Sequence, residues 1–587
     1  MENRTSRRKN KAALSAQQSI PYVAMHPDGV CQLPGGLYTK TVEYEDINYS
    51  VASTEDQSAI FSGWSAFLNY FDSALPVQLS FINRRSHSTS RYHVNIPAQA
   101  DDFDSIRGEF VGMLKRQIAR SNNGIERSKY ITFGVPAEGI AAARPRLDRV
   151  EADVMGNLHR LGVPSSPLDG RERLALLHGQ MHPGRREPFR FSWGDISKTG
   201  TAIFIPFMTR ELRMGGQALY YGMNALSHNV IMADRKKLKS ANGMYLGSTG
   251  SGKSFAAKRE LINVFLATSD RIVIVDPMGE YSPLVRRLGG QVIEIAPDSP
   301  HHINPMDIQM GLNDEDSPLS MKADFLLSLC ELVVGGKDGL QPIEKTVIDR
   351  CVRLVYRELA LGLEGAKMPL LQDLYEELLK QPEPEAKRVA TALELYCTGS
   401  LNLFNHPTNV DLSSRVVCIV LKGLGENLRK IAMHVTNEFV TSAVNTNYQN
   451  GAATWCYFDE FHILLRDPLT ASYFVAVWKM LRKEGCVPSA LTQNVKDLLA
   501  SREIENILDN TDFLVLLSQA QSDRAIIAKQ LGISEHQLSY ITHSNSGEGL
   551  LFYGNVTIPF VDRFPKGEIY NLLTTRPEDI ANDQRNE

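Results

Sequence analysis

Apolar positions recur along this chain at two spacings, and the way the spacings alternate divides it into regions. Before about residue 163 the pattern is mixed. Val42 to Val51 predicts a strand followed by a turn. Ile60, Phe61, Trp64, Phe67, Leu68 and Phe71 fall three and four residues apart, the spacing of one helix face. Val77 to Asn83 and Arg91 to Ile96 read as strands, and Phe103 to Ile118 as a second helix. From Val163 to Arg190, Pro164, Pro167, Pro183, Gly184 and Pro188 stand among many charges, which predicts a linker. From about Ala202 onward short apolar runs alternate with longer helical segments, the signature of a parallel sheet flanked by helices. One stretch interrupts it: Leu319 to Leu332, Pro342 to Gly362, Leu370 to Lys380 and Glu385 to Tyr396 all read as helix, and strand patterning resumes at Val416 to Leu421.

The expected order is a basic tail (1–20), an N-terminal α+β domain (21–162), a linker (163–200), an α/β core in two parts (201–316 and 403–575), an all-helical insertion between them (317–402) and a closing tail (576–587). Composition narrows the class. Of 587 residues, 43% are apolar and 22% charged, the balance of a folded globular chain. The net charge of −4 excludes a whole-protein basic field for gripping DNA, while a local basic channel stays open. Seven cysteines without a C-x-x-C pair predict neither a disulfide scaffold nor structural zinc, and fit a reducing compartment. No run of 18 apolar residues predicts a spanning helix, and the basic start lacks the apolar stretch of a signal peptide. The expected location is therefore cytoplasmic.

Candidate chemistry begins at Gly247-Ser248-Thr249-Gly250-Ser251-Gly252-Lys253-Ser254, a full match to G-x-x-x-x-G-K-[ST] between a strand pattern and a helix pattern. Glycines let successive N–H groups turn inward around an anion. Lys253 supplies a point charge for the β- and γ-phosphates of ATP, and the Ser254 hydroxyl is a hard oxygen ligand suited to Mg²⁺. Thr454 to Phe458 then predicts a buried strand ending in Asp459 and Glu460, where Asp459 suits Mg²⁺ and Glu460 a general base. Gln493 stands at the tip of another strand pattern, Val487 to Leu491, in which Pro488 is expected only at the start. It fits a phosphate or water contact as well as an exposed strand end. Arg482, with Lys483, fits either a charge stabiliser for phosphoryl transfer or a cation at a helix C-terminus. Asp276, in Asp276-Pro-Met-Gly279, fits both a turn former and a neighbour of the site. His301 and His302 read as surface or packing residues rather than metal ligands.

These motifs together resemble one family. The run Gly216 to Arg235, the phosphate loop, Val275 to Tyr281, Ile303 to Met306, Phe458-Asp-Glu-Phe461, Arg482-Lys483, Thr492-Gln493 and Gly547-Glu-Gly549 are similar to VirB-four-type ATPases of conjugation machines, nearest the TraE/TrsE-like branch. Tyr44 to Tyr49 with Gln57, Ile60 and Phe61 resembles the start of that family's N-terminal domain. The resemblance implies a RecA-like motor of the HerA/FtsK kind that hydrolyses ATP with Mg²⁺ and drives assembly of, or transfer through, a type IV secretion system. It implies hexameric rings with an arginine supplied by the neighbour; Arg482, Arg524 and Arg563 are the candidates, Arg482 favoured on position. It also implies secretion-channel partners and peripheral attachment to the inner face of the cell membrane through them. A DNA-pumping translocase or coupling protein, with DNA as partner, is the alternative. One departure is a shorter N-terminal domain than the family's usual one.

Overall fold

The computed structural model describes residues 22–71, 74–85, 96–120, 125–180, 205–308, 318–334, 339–465, 468–493, 507–542 and 544–575, and two sheets organise them. The predicted tails and the strand over Arg91 to Ile96, except Ile96 itself, fall outside these residues, as does 181–204.

The first sheet is antiparallel throughout. Its strands β1 (Ala24–Met25), β2 (Cys31–Leu33), β3 (Leu37–Tyr44), β4 (Val77–Arg85), β5 (Ile125–Pro136) and β6 (Ser165–Pro167) run in the order β1-β2-β3-β5-β4, with β6 on β3. Helix α1 (Thr54–Leu68) starts where the Ser53 hydroxyl accepts from the Asp56 N–H at 3.0 Å, a side-chain N-cap. Helix α2 (Asp104–Arg120) does not join this core. Its Ile106, Phe110, Met113 and Leu114 pack instead with Val285, Leu288 and Ile569 of the second unit. Helix α3 (Ile140–Arg160) closes the first core: Leu147 and Leu158 meet Trp64 and Phe67 of α1 and Val42 and Phe133 of the sheet.

The first half of the expected linker belongs to this unit. Ser165–Pro167 is strand β6, and helix α4 (Gly170–Gln180) carries buried Arg173, whose Nη1 donates to the Gly29 carbonyl at 2.6 Å. The proline spacing looked like a linker because a three-residue edge strand leaves too short a pattern to read. The expected start of the core at residue 201 lies outside the described residues. Ile205 to Met208 form no strand, and Phe207 inserts edge-on against Trp64 of the first unit, ring centroids 5.3 Å apart.

The second sheet has strands β7 (Leu219–Asn224), β8 (Val230–Ala233), β9 (Gly243–Leu246), β10 (Arg271–Asp276), β11 (Gln291–Glu294), β12 (Val416–Val420), β13 (Thr454–Phe458), β14 (Cys486–Thr492), β15 (Phe513–Leu517), β16 (Glu548–Tyr553) and β17 (Val556–Val561). Their order is β11-β12-β10-β13-β14-β9-β15-β16-β17-β7-β8. The expected parallel pairing holds from β11 to β15 in this order; β10, β12 and β15 are rich in Val, Ile and Leu, and β12, β13, β14, β9 and β15 are buried at every position. It fails beyond β15, where β16, β17, β7 and β8 continue antiparallel. Helices α5 (Lys253–Ala267) and α6 (Ser282–Arg287) lie within the first part of this unit.

The helical insertion is α7 (Pro318–Val334), α8 (Pro342–Val355), α9 (Arg357–Ala360), α10 (Leu371–Leu379) and α11 (Pro384–Cys397), close to the predicted ranges. Leu326, Ile348, Leu374 and Val389 form its core, which is continuous with one face of the sheet through Phe439 and Val440 of α12 (Glu426–Gln449). Helices α13 (Phe461–Leu464) and α14 (Pro468–Met480) then lead to a 3-10 turn, Leu481–Glu484.

Pro488 is the third residue of β14, inside a strand with neighbours on both sides, rather than at its start. The reason lies in Arg235. Pairing of β14 to β9 begins only at Ser489, and the Pro488 carbonyl instead accepts from Arg235 Nη2 at 3.0 Å. The guanidinium stands where strand would otherwise be. Its Nη1 reaches both oxygens of Glu260 at 3.0 and 2.9 Å and Ser489 Oγ at 2.8 Å, its Nη2 reaches the Ala241 carbonyl at 2.7 Å, and it lies over the Phe513 ring at 4.5 Å. Gly243 is glycine for the same reason, since a Cβ there would lie 2.1 Å from this guanidinium. Glu260 also accepts from Tyr221 at 2.5 Å and Tyr457 at 3.1 Å, so of the side-chain polar atoms of this sealed pair only Arg235 Nε lacks a hydrogen bond.

Candidate nucleotide site

Parallel strands deliver their C-terminal ends to one edge of the sheet, and β9, β10, β13 and β14 bring the predicted residues to that edge. The phosphate loop, residues 247–252, leaves β9 and opens helix α5 at Lys253, so the first-turn N–H groups of α5 point at the loop's hollow. Gly250 and Gly252 have φ of 79° and 96°, a region open to glycine. The loop is fixed from behind. The Ser248 N–H and hydroxyl donate to the Ser518 carbonyl at 2.8 and 2.9 Å, and the Gly547 N–H donates to the Ser251 carbonyl at 2.9 Å. A Cβ on Gly252 would come within 3.2 Å of the Gly547 nitrogen.

Around the loop four residues from distant parts of the chain converge. Lys253 Nζ, largely buried, lies 3.6 Å from Asp459 and 3.4 Å from Glu460 Oε1. Gln493 Nε2 donates to Glu460 Oε1 at 2.9 Å, and its Oε1 accepts from the Thr249 hydroxyl of the phosphate loop at 2.6 Å. Gln493 therefore bridges the loop to the carboxylate rather than facing solvent as an idle strand tip. Glu460 stands in the left-handed region at φ 45°, ψ 46°, unusual for a residue with a Cβ. This strain puts its carboxylate back over the sheet edge, where His462 Nδ1 lies 3.3 Å from Oε2.

Asp459 is 2% exposed, and burial pushes its carboxyl up to about 6, with the charges of Asp276 and Glu460 adding and Lys253 opposing. Asp276 itself accepts from the backbone N–H groups of Met278, Gly279 and Tyr281, so it forms the turn and also charges the site. Lys258, one turn further along α5, is buried over the Tyr281 ring at 5.2 Å. Burial lowers its affinity for a proton, while Glu280, Asp276 and Asp459 hold it up.

The donors fit a hard divalent cation. Ser254 on the first turn of α5 and Asp459 both offer oxygen donors, and the carboxylates of Asp459, Glu460, Asp276 and Glu280 outnumber the ammonium groups of Lys253 and Lys258. No group of three or more His, Cys, Asp or Glu able to hold a metal alone occurs among the described residues.

The arginines fall elsewhere. The turn holding Arg482 precedes β14, at the edge opposite the phosphate loop, about 20 Å away along a seven-residue strand. Arg524 is committed to its own chain, donating to the Gln519 and Thr542 carbonyls at 3.1 and 2.9 Å. Arg563 is on the loop side, next to Asp562, whose N–H donates to the Gly547 carbonyl, and its side chain is 82% exposed. His302 stacks on His406 at 4.2 Å, a packing role as expected. Sequence reasoning missed His462 and the supports from Ser518; for His462 the signal was its place two residues after Glu460.

A phosphate loop at the end of a parallel strand, with Lys253 facing a strand-end Asp-Glu pair, defines a P-loop NTPase. The family described as the TraG P-loop domain matches residues 226–570, more than half of the chain, and the chain belongs to that family. The solved structure of VirB4 of Thermoanaerobacter pseudethanolicus is similar at 22% identity over 63% of this chain and 100% of that chain, with a TM-score of 0.52, and shows the same fold. The plasmid coupling protein TrwB in complex with ADP and Mg²⁺ is more loosely similar, at 15% identity over 59% of this chain and 91% of that one, TM-score 0.41. Among proteins of curated function none matches this chain.

Proposed function

We propose that this chain is an ATP-hydrolysing motor of a conjugative type IV secretion system, driving assembly of the machine or transfer through it. The observation that carries the reading is the convergence of Lys253, Asp459, Glu460 and Gln493 on the phosphate loop. Membership of the TraG P-loop family and the fold shared with VirB4 support it.

In this reading the loop N–H groups from Gly247 to Ser254 cradle the phosphates, and Lys253 exchanges its carboxylate partners for the β- and γ-phosphates. Glu460, released from Lys253, takes the proton of the attacking water as general base. Gln493, already hydrogen-bonded to both Glu460 and Thr249, orients that water against the γ-phosphate. Ser254 and Asp459 would hold Mg²⁺, whose charge would offset that developing on the phosphates. Arg482 serves a neighbouring copy in a hexameric ring, since its turn lies far from its own chain's loop. No described helix is long and apolar enough to cross a membrane, and attachment to the inner face of the membrane through secretion-channel partners suits the proposed role.

The test is ATP turnover per chain against protein concentration, with and without DNA. The reading predicts turnover that rises with concentration as rings form and is indifferent to DNA. Turnover that needs DNA and falls steeply with salt would favour a DNA translocase instead. Mixing Arg482→Ala with Glu460→Gln chains should restore part of the activity, because some interfaces pair an intact glutamate with an intact arginine. A mixture inactive at every ratio, beside an Arg563→Ala mixture that recovers, would move the role to Arg563.

A further inference from the structure

Glu460 has a long, rotatable side chain, and a general base works only when its carboxylate is aimed. In the structure its Oε1 is held by Gln493 and Lys253, at 2.9 and 3.4 Å. Both partners are tied to the phosphate loop: Lys253 belongs to the P-loop motif, and Gln493 accepts from Thr249. On the reading above, nucleotide draws Lys253 away, and the hold on Oε1 weakens when aim matters most. The other oxygen, Oε2, is buried and has no hydrogen bond in the structure. His462 Nδ1 lies 3.3 Å from Oε2 and 3.3 Å from Thr492 Oγ1, and the imidazole is mostly buried in helix α13 directly after Glu460. A carboxylate only accepts, so the contact is favourable with the proton on Nδ1. The left-handed backbone of Glu460 is what folds a residue two positions later back onto the same carboxylate.

We propose that His462 is the positioning residue of Glu460: once Lys253 has turned to the phosphates, the His462 Nδ1–H closes on the unpartnered Oε2, independently of the phosphate loop, and keeps Oε1 directed at the attacking water. In the structure Nδ1 is paired with the Thr492 hydroxyl at the tip of β14, which can share the Nδ1–H only as an acceptor. This rests on Glu460 being the base. It needs no contact between His462 and nucleotide, so the residue acts on the chemical step and not on ATP binding.

The experiment is kcat and KM for ATP in the full chain carrying His462→Ala, His462→Asn or His462→Gln, each with a melting curve. The amide nitrogen of Asn occupies roughly the place of Nδ1, and that of Gln the place of Nε2. His462→Ala should lower kcat by about 10- to 100-fold with KM within about twofold, the size of effect typical of an outer partner that aims a functional group. His462→Asn should recover most of that loss and His462→Gln should not. In a Glu460→Gln background His462→Ala should cost nothing further, because the two act as one unit. A kcat unchanged in His462→Ala, equal losses in the Asn and Gln variants, or a further loss in the Glu460→Gln background would each overturn the proposal. Should His462→Ala fail to fold, the Asn and Gln pair still decides. If Glu460→Gln alone keeps full turnover, the base assignment falls and this proposal with it; an inactive Glu460→Gln beside a fully active His462→Ala overturns the positioning role alone.

Discussion

Helix α5 holds one member of each of two charge clusters two turns apart, and they are built in opposite ways. At Glu260 the carboxylate meets Arg235 at 2.9 to 3.0 Å, both groups fully buried, with Tyr221, Tyr457, Ser489 and two carbonyls making the other hydrogen bonds. At Lys253 the ammonium stands 3.4 and 3.6 Å from two carboxylates, at the open edge of the same sheet. In the first cluster only Arg235 Nε lacks a partner, and both charged groups are sealed from solvent. The second is stretched, holds more negative charge than its cations balance, and contains a backbone in the left-handed region. A buried pair with nearly every partner present locks strand register, here around the gap that Pro488 leaves. A loose pair beside a phosphate loop is what substrate can rearrange.

Breaking the sealed cluster should have the largest effect on folding. Glu260→Gln leaves Arg235 charged and unpaired in the interior, and urea unfolding should show a loss of about 3–5 kcal/mol. A loss under about 1 kcal/mol would mean the two clusters do not differ as claimed. Next comes Gln493→Ala, which removes the bridge between Thr249 and Glu460. ATP turnover should fall about 10- to 100-fold while unfolding stays within about 0.5 kcal/mol; equal damage to stability would make Gln493 a structural strut.

Asp459→Asn sharpens the contrast through pH. The folded carboxyl titrates near 6, above the ordinary aspartate value of 3.8. Between those values the folded chain holds a proton that the unfolded chain has lost, so this group's contribution is most favourable below about pH 4. It declines as pH rises to 6 and stays reduced above. Asp459→Asn should therefore stabilise the chain by about 1–2 kcal/mol at pH 7.5 and by nothing near pH 4, while abolishing turnover. Denaturation at the two pH values checks this; an equal effect at both would contradict the buried-charge account. The smallest effect belongs to an exposed pair on the insertion: Arg353, 3.0 Å from Asp349 one turn earlier, should change stability by no more than about 0.5 kcal/mol when replaced by Ala.

Much of this was legible because it is local in sequence. The phosphate loop, the strand ending at Asp459-Glu460, the tip at Gln493 and the four main insertion helices each follow from short-range spacing or from glycine chemistry. What was hidden depends on distant partners. Strand β17 pairs antiparallel with β7 across more than 300 residues of chain, which carries the sheet on to β7 and β8. Pro488 is tolerated mid-strand because pairing to β9 begins only at Ser489, so no N–H is needed there, and Arg235, some 250 residues earlier, takes the carbonyl that the gap leaves. Helix α2 reads as amphipathic, but nothing in its periodicity says that it packs on the second unit and not the first. His462 and the left-handed turn at Glu460 escaped because an Asp-Glu-Phe-His run carries no signal of backbone strain.

The central claim is that the loose cluster at the sheet edge exists for turnover and the sealed one for folding. Glu460→Gln tests it most directly, with ATP binding, ATP turnover and unfolding measured on one preparation. The account predicts ATP affinity within a few-fold of wild type, turnover lower by about 10²- to 10⁴-fold, and stability unchanged within about 0.5 kcal/mol. Turnover at the wild-type rate, or a chain unfolded by this single amide, would contradict it.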